Sequence, residues 1–244
     1  TGATFFDGAI SGTSSAGYRG TIDASGKQGN VAGRIAALYQ DVPTPDRDNV
    51  FVRRWGVAPS VSFDVTDRDK ITLSHIYQGE ESVPDYGHPW LPAPQVNAAG
   101  TGVTAGYYGD GRAVTPIPVP RNTFYGNTLG PYRDLVETTT NITTLKLEHE
   151  FDNGFKFTNA TRYVDNQRYA APTPPRGLGG ASNTPFTNTA ANPLSPAFFN
   201  YPVDQMTLAQ EHWNTQTNDT LLVNQTDLVG KFDTWGLTHT LATG

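Results

Sequence analysis

YQGEESVPDYGHPW, residues 77–90, begins as the outer end of a strand and breaks at Pro84. Alternation stops there because proline fixes its own φ and has no N–H for a ladder. From Pro84 to about Glu137 runs the longest irregular stretch of the sequence. Connections beyond roughly 12–15 residues are uncommon inside compact domains and usually serve function. The fold therefore has to explain one very long connection hung between two strands.

On either side of that connection the period is two. Before it, Ile71 and Leu73 oppose Thr72, Ser74 and Gln78. After it, Thr143, Leu145, Leu147, His149 and Phe151 share a face against Thr144, Lys146, Glu148 and Glu150. Asp152-Asn153-Gly154 is a hairpin turn, since Asn and Gly tolerate the positive φ of tight turns. Phe155, Phe157, Thr161 and Tyr163 then face away from Lys156, Thr158 and Arg162.

Further upstream, Val57, Val61, Phe63 and Val65 oppose Ser60, Ser62 and Asp64, with Pro59 predicting a bulge or a local break. Residues 3–11, 18–24 and 31–40 read as earlier strands, and 213–232 and 237–241 as later ones. The class is all-β and antiparallel, with about nine strands.

The connections alternate in length. Short turns fall at 26–29, 66–69, 152–154 and 233–236, and longer segments at 41–49, 83–137 and 170–212. Of the eighteen prolines, all but Pro43, Pro45 and Pro59 lie in the last two segments, so these are not central strands. Transmembrane β-barrels have short periplasmic turns and long extracellular loops. That places 83–137 and 170–212 outside the cell.

The aromatics agree. Phe63, Phe151, Phe155, Phe232 and Trp235 sit beside the short turns, and Tyr39, Trp55, Tyr77, Tyr163 and Trp213 near the loop ends. From Phe155 to Tyr163 is roughly 26 Å at the usual rise, close to the ~25 Å band between two aromatic girdles. The plainer alternative is that aromatic residues simply favour strands.

Composition removes other classes. The 244 residues contain no cysteine, hence no disulfide framework or thiolate metal site. A net charge of −6 speaks against a nucleic-acid partner, which calls for a basic face. No apolar run approaches the ~18 residues of a membrane helix, which leaves barrel strands open.

PDYG-x-PW at 84–90 and VPRNTFYG at 119–126 resemble TonB-dependent ferric-siderophore receptors of the Gram-negative outer membrane, especially the catecholate-type branch. GTSSAGYRGTIDAS (12–25), NVAGRIAALYQDVPTPDRDNVFVRRWGVAPSVSF (30–63) and ITLSHIYQGEESVPDYGHPW (71–90) resemble consecutive pieces of the same barrel. RWGVAPS (54–60) is particularly close and makes Pro59 a family feature. The resemblance implies a transmembrane β-barrel of about twenty-two strands, of which residues 1–244 are an internal portion without the plug. It also implies ferric-siderophore uptake energised through TonB, reached by an N-terminal region absent here, with outer-membrane lipid around the barrel. Iron would enter only as a siderophore chelate, with no cofactor. The alternatives are TonB-dependent uptake of another ligand, such as a sugar or cobalamin, and a secreted β-sandwich adhesin or lectin.

Catalytic chemistry is not encoded in any spacing. His75, His149 and His239 fall on strands with no second ligand type nearby in sequence, so no metal site is expected. Glu80-Glu81 reads as a strand end. G-x-S-x-G, H-E-x-x-H and P-loop patterns are all missing from the sequence, and no enzyme is expected.

Recognition is what the long connection offers. It carries Tyr86, Trp90, Tyr107, Tyr108, Phe124, Tyr125 and Tyr132 with Arg112, Arg121 and Arg133. Rings stack on flat aryl groups and guanidinium forks pair with anionic oxygens. Pro84 and Pro89 stiffen the bend, which favours Tyr86 and Trp90 as platforms, and Arg121 lies in the second family-like stretch. Tyr86, Trp90 and Arg121 are therefore the candidate ligand-binding residues. The opposing reading is that these side chains only hold the loop together.

Overall fold

In the computed structural model the described residues are 3–89, 116–117, 119–179, 205 and 207–244. The strands are β1 (Phe5–Gly12), β2 (Tyr18–Gln28), β3 (Val31–Pro43), β4 (Phe51–Asp64), β5 (Asp69–Ser82), β6 (Leu135–Glu150), β7 (Lys156–Ala171), β8 (Pro175–Gly179), β9 (Thr207–Gln210), β10 (Thr215–Thr234) and β11 (Leu237–Thr243). Nine of them make one sheet in the order β1-β2-β3-β4-β5-β6-β7-β10-β11, every pairing antiparallel. β8 and β9 form a separate hairpin inside the second long connection. Among the described residues no helix is long and apolar enough to cross a membrane, which says nothing of strands.

The turns at one end are closed by local chemistry. Gln28 pairs Val31 across Gly29-Asn30, with Gly29 at φ 60°. Thr234 pairs Leu237 across Trp235 and Gly236, whose φ values of 51° and 80° are those of a type I′ turn. Phe151 N donates to Phe155 O at 2.8 Å, and of the expected Asn-Gly pair only Gly154 takes a positive φ, 78°. The Thr66 hydroxyl accepts from Arg68 N and Asp69 N at 3.1 and 3.0 Å, fixing the 66–69 turn.

Register carries the alternation from strand to strand. Val61, Leu73 and Leu145 lie in one cross-strand row, and Phe63, Ile71 and Leu147 in the next. These side chains are about two-fifths exposed, so they form an outward apolar face rather than a core. The opposite face carries Ser62, Thr72 and Lys146, then Asp64, Lys70 and Glu148. It is laced by Lys27–Asp64 and Lys146–Glu148 pairs, each 2.7 Å, and by Arg34–Asp23 at 2.5 Å. Buried apolar residues are few among those described: Val50, Ile117, Leu135, Ala170 and Ala171, all at the end with the long connections.

Pro59 breaks the ladder without shifting it. It pairs Ile35 on the β3 side, while on the β5 side pairing lapses between Val57–Tyr77 and Ser60–Ser74 and resumes in the same register. A missing N–H accounts for the lapse, and no bulge is present at this position. The first long connection is shorter than its sequence bounds and the second is shifted by two residues: β6 starts at Leu135, β7 runs to Ala171 and β10 starts at Thr215. Cross-strand pairing of Leu135 with Ala171 continues the ladder past the expected strand ends.

Candidate functional site

The sheet end that bears the long connections is organised around Arg47. In the β3–β4 connection, Arg47 N donates to Thr44 O at 3.2 Å, closing a turn over Pro45 and Asp46. Proline second and a positive φ third (Asp46, 55°) is the type II pattern. Thr44 N in turn donates to Val50 O at 2.8 Å, so the whole connection is held at its base. The Arg47 side chain is only 12 % exposed.

Its guanidinium gathers two distant segments. Nε and Nη2 donate to Asp85 Oδ2 and Oδ1 at 2.6 and 2.7 Å, a fork-on-fork pair. Nη1 donates to Arg121 O at 2.6 Å and lies 2.6 Å from His88 Nε2. A guanidinium has no lone pair to offer, so in that contact the imidazole nitrogen accepts. Asp48 and Asn122 add a second tie: Asp48 N to Asn122 O at 3.1 Å and Asn122 Nδ2 to Asp48 Oδ2 at 2.7 Å. The two limbs also meet directly, Ile117 N donating to Pro89 O at 3.0 Å.

The bend expected at 85–87 forms as the residue types require. Gly87 has φ 72°, and its N–H donates back to Asp85 Oδ1 at 2.9 Å. A Cβ at Gly87 would meet nothing within 4 Å, so it is the backbone angle and not space that calls for glycine. Burial works to raise the Asp85 pKa, but the hydrogen bonds from Arg47 and Gly87 and the Arg47 charge together hold it below its ordinary value. The pair's contribution is thus present above about pH 4, the ordinary carboxylate value, and is lost as pH falls through the lowered folded value.

Tyr86 and Arg121 are both exposed, Tyr86 to half its surface. Arg121 lines a recess of about 340 Å³ with Arg47, Asp85, Gly87, His88 and Pro116, while Tyr86 stands on the same bend without lining it. Among the described residues the Arg121 guanidinium makes no ion pair, whereas Arg133 lies 4.0 Å from Glu81. Trp90, Tyr107, Tyr108 and Arg112 lie outside the described residues. Of the other aromatics, Tyr125 packs edge-on to His88 at 5.9 Å and Tyr132 edge-on to His212 at 5.3 Å. Burial pushes the Tyr125 hydroxyl pKa up.

Groups considered for chemistry are occupied structurally. Glu80 pairs with Arg54 at 2.5 Å and Glu81 with Arg53 at 3.2 Å. Adjacent strand residues point to opposite faces, so these two carboxylates do not form an acid–base pair. His75 contacts the Thr143 hydroxyl, His149 Asp69 and His239 the Thr234 hydroxyl, at 2.9, 2.6 and 2.6 Å. Among the described residues no cluster of His, Cys, Asp or Glu could hold a metal ion.

No family model matches the chain. The catecholate siderophore receptor Fiu of Escherichia coli K12 is 27 % identical over 227 residues, 93 % of this chain and 27 % of that protein. The probable TonB-dependent receptor BfrD of Bordetella pertussis is 30 % identical over 231 residues, 93 % of this chain and 26 % of that protein. The relatives of this chain thus include siderophore receptors and TonB-dependent receptors.

The crystal structure of the ferric-catecholate import receptor Fiu from E. coli K12, closed form, superposes with a TM-score of 0.75 at 24 % identity. It covers 99 % of this chain and 31 % of that one. The siderophore receptor PiuA from Acinetobacter baumannii gives 0.69 at 23 %, covering 99 % and 29 %. The nine-stranded sheet thus has the fold of these receptors' antiparallel β-barrel, and the chain is an outer-membrane β-barrel segment of a Gram-negative bacterium. It spans about a quarter of the length of the curated relatives it matches.

Proposed function

We propose that the chain is part of an outer-membrane receptor for a ferric siderophore of the catecholate class, taken up with energy delivered through TonB. Similarity over 93 % of the chain to a protein named a catecholate siderophore receptor is the observation that carries this reading. The arrangement at the sheet end supports it. An exposed ring at Tyr86 offers a stacking surface for an aryl group, and the exposed Arg121 fork suits anionic oxygens. Trp90 belongs to the same proposed site. Iron is cargo inside the chelate, and the protein's part is binding without covalent chemistry. Residues 83–134 and 172–214 are the extracellular side of this reading, and lipid meets the face of Leu145 and Leu147.

The test uses the full-length receptor. Tyr86→Ala, Trp90→Ala and Arg121→Ala are each expected to weaken ferric-catecholate binding by roughly 1–3 kcal/mol, the range for a lost aromatic contact or charged hydrogen bond. Outer-membrane abundance is measured on the same cells. Normal abundance with unchanged affinity removes a residue from the site. Radio-iron uptake that persists without TonB overturns the energised-transport part.

A further inference from the structure

We infer that Arg47 is the positioning residue of this mouth, setting the geometry between the limb that carries Tyr86 and the limb that carries Arg121. The inference rests on the reading that Tyr86 and Arg121 meet the chelate. Arg47 belongs to neither limb and comes from the β3–β4 connection, 38 residues from Asp85 and 74 from Arg121. It is too enclosed, at 12 % exposure, to be a main ligand contact. Four of its five N–H donors are already taken by Asp85, the His88 ring and the Arg121 carbonyl.

Each of those contacts fixes something different. The fork on Asp85 sets the direction of the bend that holds Tyr86, since Asp85 also accepts from Gly87 N. The bond to Arg121 O places the backbone of the other limb, leaving the Arg121 side chain free to act outward. One planar group touching both limbs transmits a displacement of either to the other. A lysine could not replace it, because a single ammonium on a flexible stem has no planar fork to span two carboxylate oxygens, a carbonyl and a ring nitrogen at once.

Limbs held together before the ligand arrives need not be ordered on binding, so affinity falls when the pin is removed even though no ligand contact is lost. Arg121 then contributes less, because its guanidinium is no longer aimed. This coupling separates positioning from mere support of the fold, which would lower the amount of competent receptor and leave the Arg121 contribution unchanged.

The experiment measures ferric-catecholate affinity and binding stoichiometry of purified full-length receptor in detergent for wild type, Arg47→Lys, Arg47→Gln, Tyr86→Ala, Arg121→Ala and the double variant Arg47→Gln/Arg121→Ala. Both Arg47 variants are expected to bind about tenfold more weakly at unchanged stoichiometry. Arg121→Ala is expected to cost clearly less in the Arg47→Gln background than in wild type. If Arg47→Lys binds as wild type, charge alone suffices and the inference is overturned. It is overturned as well if the cost of Arg121→Ala is the same in both backgrounds, or if only stoichiometry falls. Tyr86→Ala and Arg121→Ala without effect in the wild-type background would instead remove the site reading itself, and the inference with it.

Discussion

Asp134 is buried to 3 % exposure, and neither of its carboxylate oxygens has a hydrogen-bond partner among the described residues. It lies against Gly126, where an added Cβ would overlap both Asp134 Oδ2 and the Phe124 ring, so the glycine is required by space. An enclosed carboxyl without partners is costly, and a neutral amide of the same shape costs less. Asp134→Asn is therefore expected to leave the stability of the full-length receptor unchanged or raise it by up to about 2 kcal/mol, with the thermal midpoint unchanged or higher. A clear drop would reveal a partner for the carboxylate. Residues such as Tyr86 and Arg121 could be proposed from the sequence because ring and fork chemistry is written in the residue type. Arg47 could not. It sits in VPTPDRDN, among prolines and aspartates with no periodicity, and its importance comes only from a fold that sets it beside residues 85, 88 and 121.

Strands were the most legible level, since period two survives in the rows Val61–Leu73–Leu145 and Phe63–Ile71–Leu147, although Ile76 pairs Ile142 on the otherwise polar face. Strand ends were less so, because pairing such as Leu135 with Ala171 depends on a neighbour the local sequence does not contain. Two glycines on the outward face show another signal that alternation misses. A Cβ at Gly79 would overlap the Trp55 indole, and one at Gly230 the Phe155 ring, so each aromatic lies across a neighbouring glycine. Beside Thr161, which alternation placed on this face, stand Asn159, Asn224 and Thr226, which it did not foresee on the face of Leu145 and Leu147. They satisfy one another: each Asn amide nitrogen reaches the other's oxygen at 3.0–3.1 Å and a threonine hydroxyl at 2.7 Å. Face assignment makes a sharp comparison on β6. Leu145→Arg is expected to destabilise by roughly 2–4 kcal/mol near the bilayer midplane. Lys146→Ala loses an exposed pair with Glu148 and is expected to cost no more than about 1 kcal/mol. Urea titration of the receptor folded in lipid vesicles reads both, and equal losses would mean that the apolar face does not meet lipid.

At the scale of the molecule, an antiparallel sheet joined in sequence puts successive connections at alternate ends. Hairpins at 29–30, 66–68, 152–154 and 235–236 share one end. They are tied to each other there: Arg68 pairs with Asp152, and Glu150 N donates to Arg68 O at 3.0 Å. The other end gathers the Arg47 connection and both long ones. Gln210 donates to Tyr125 O, and His212 packs on Tyr132, so the second long connection rests on the first. In the proposed receptor the braced rim is the one expected to face the cell exterior, since outer-membrane barrels carry their longer loops there. Because this chain has no cysteine, single cysteines are unambiguous reporters within it. Leu129, 78 % exposed on the braced rim, and Trp235, fully exposed in a tight turn, are matched in accessibility. With an impermeant maleimide on intact cells, Leu129→Cys is expected to label and Trp235→Cys only after the outer membrane is opened. Labelling of Trp235→Cys on intact cells, with Leu129→Cys silent, would turn the barrel over and move the Arg47 mouth to the periplasm.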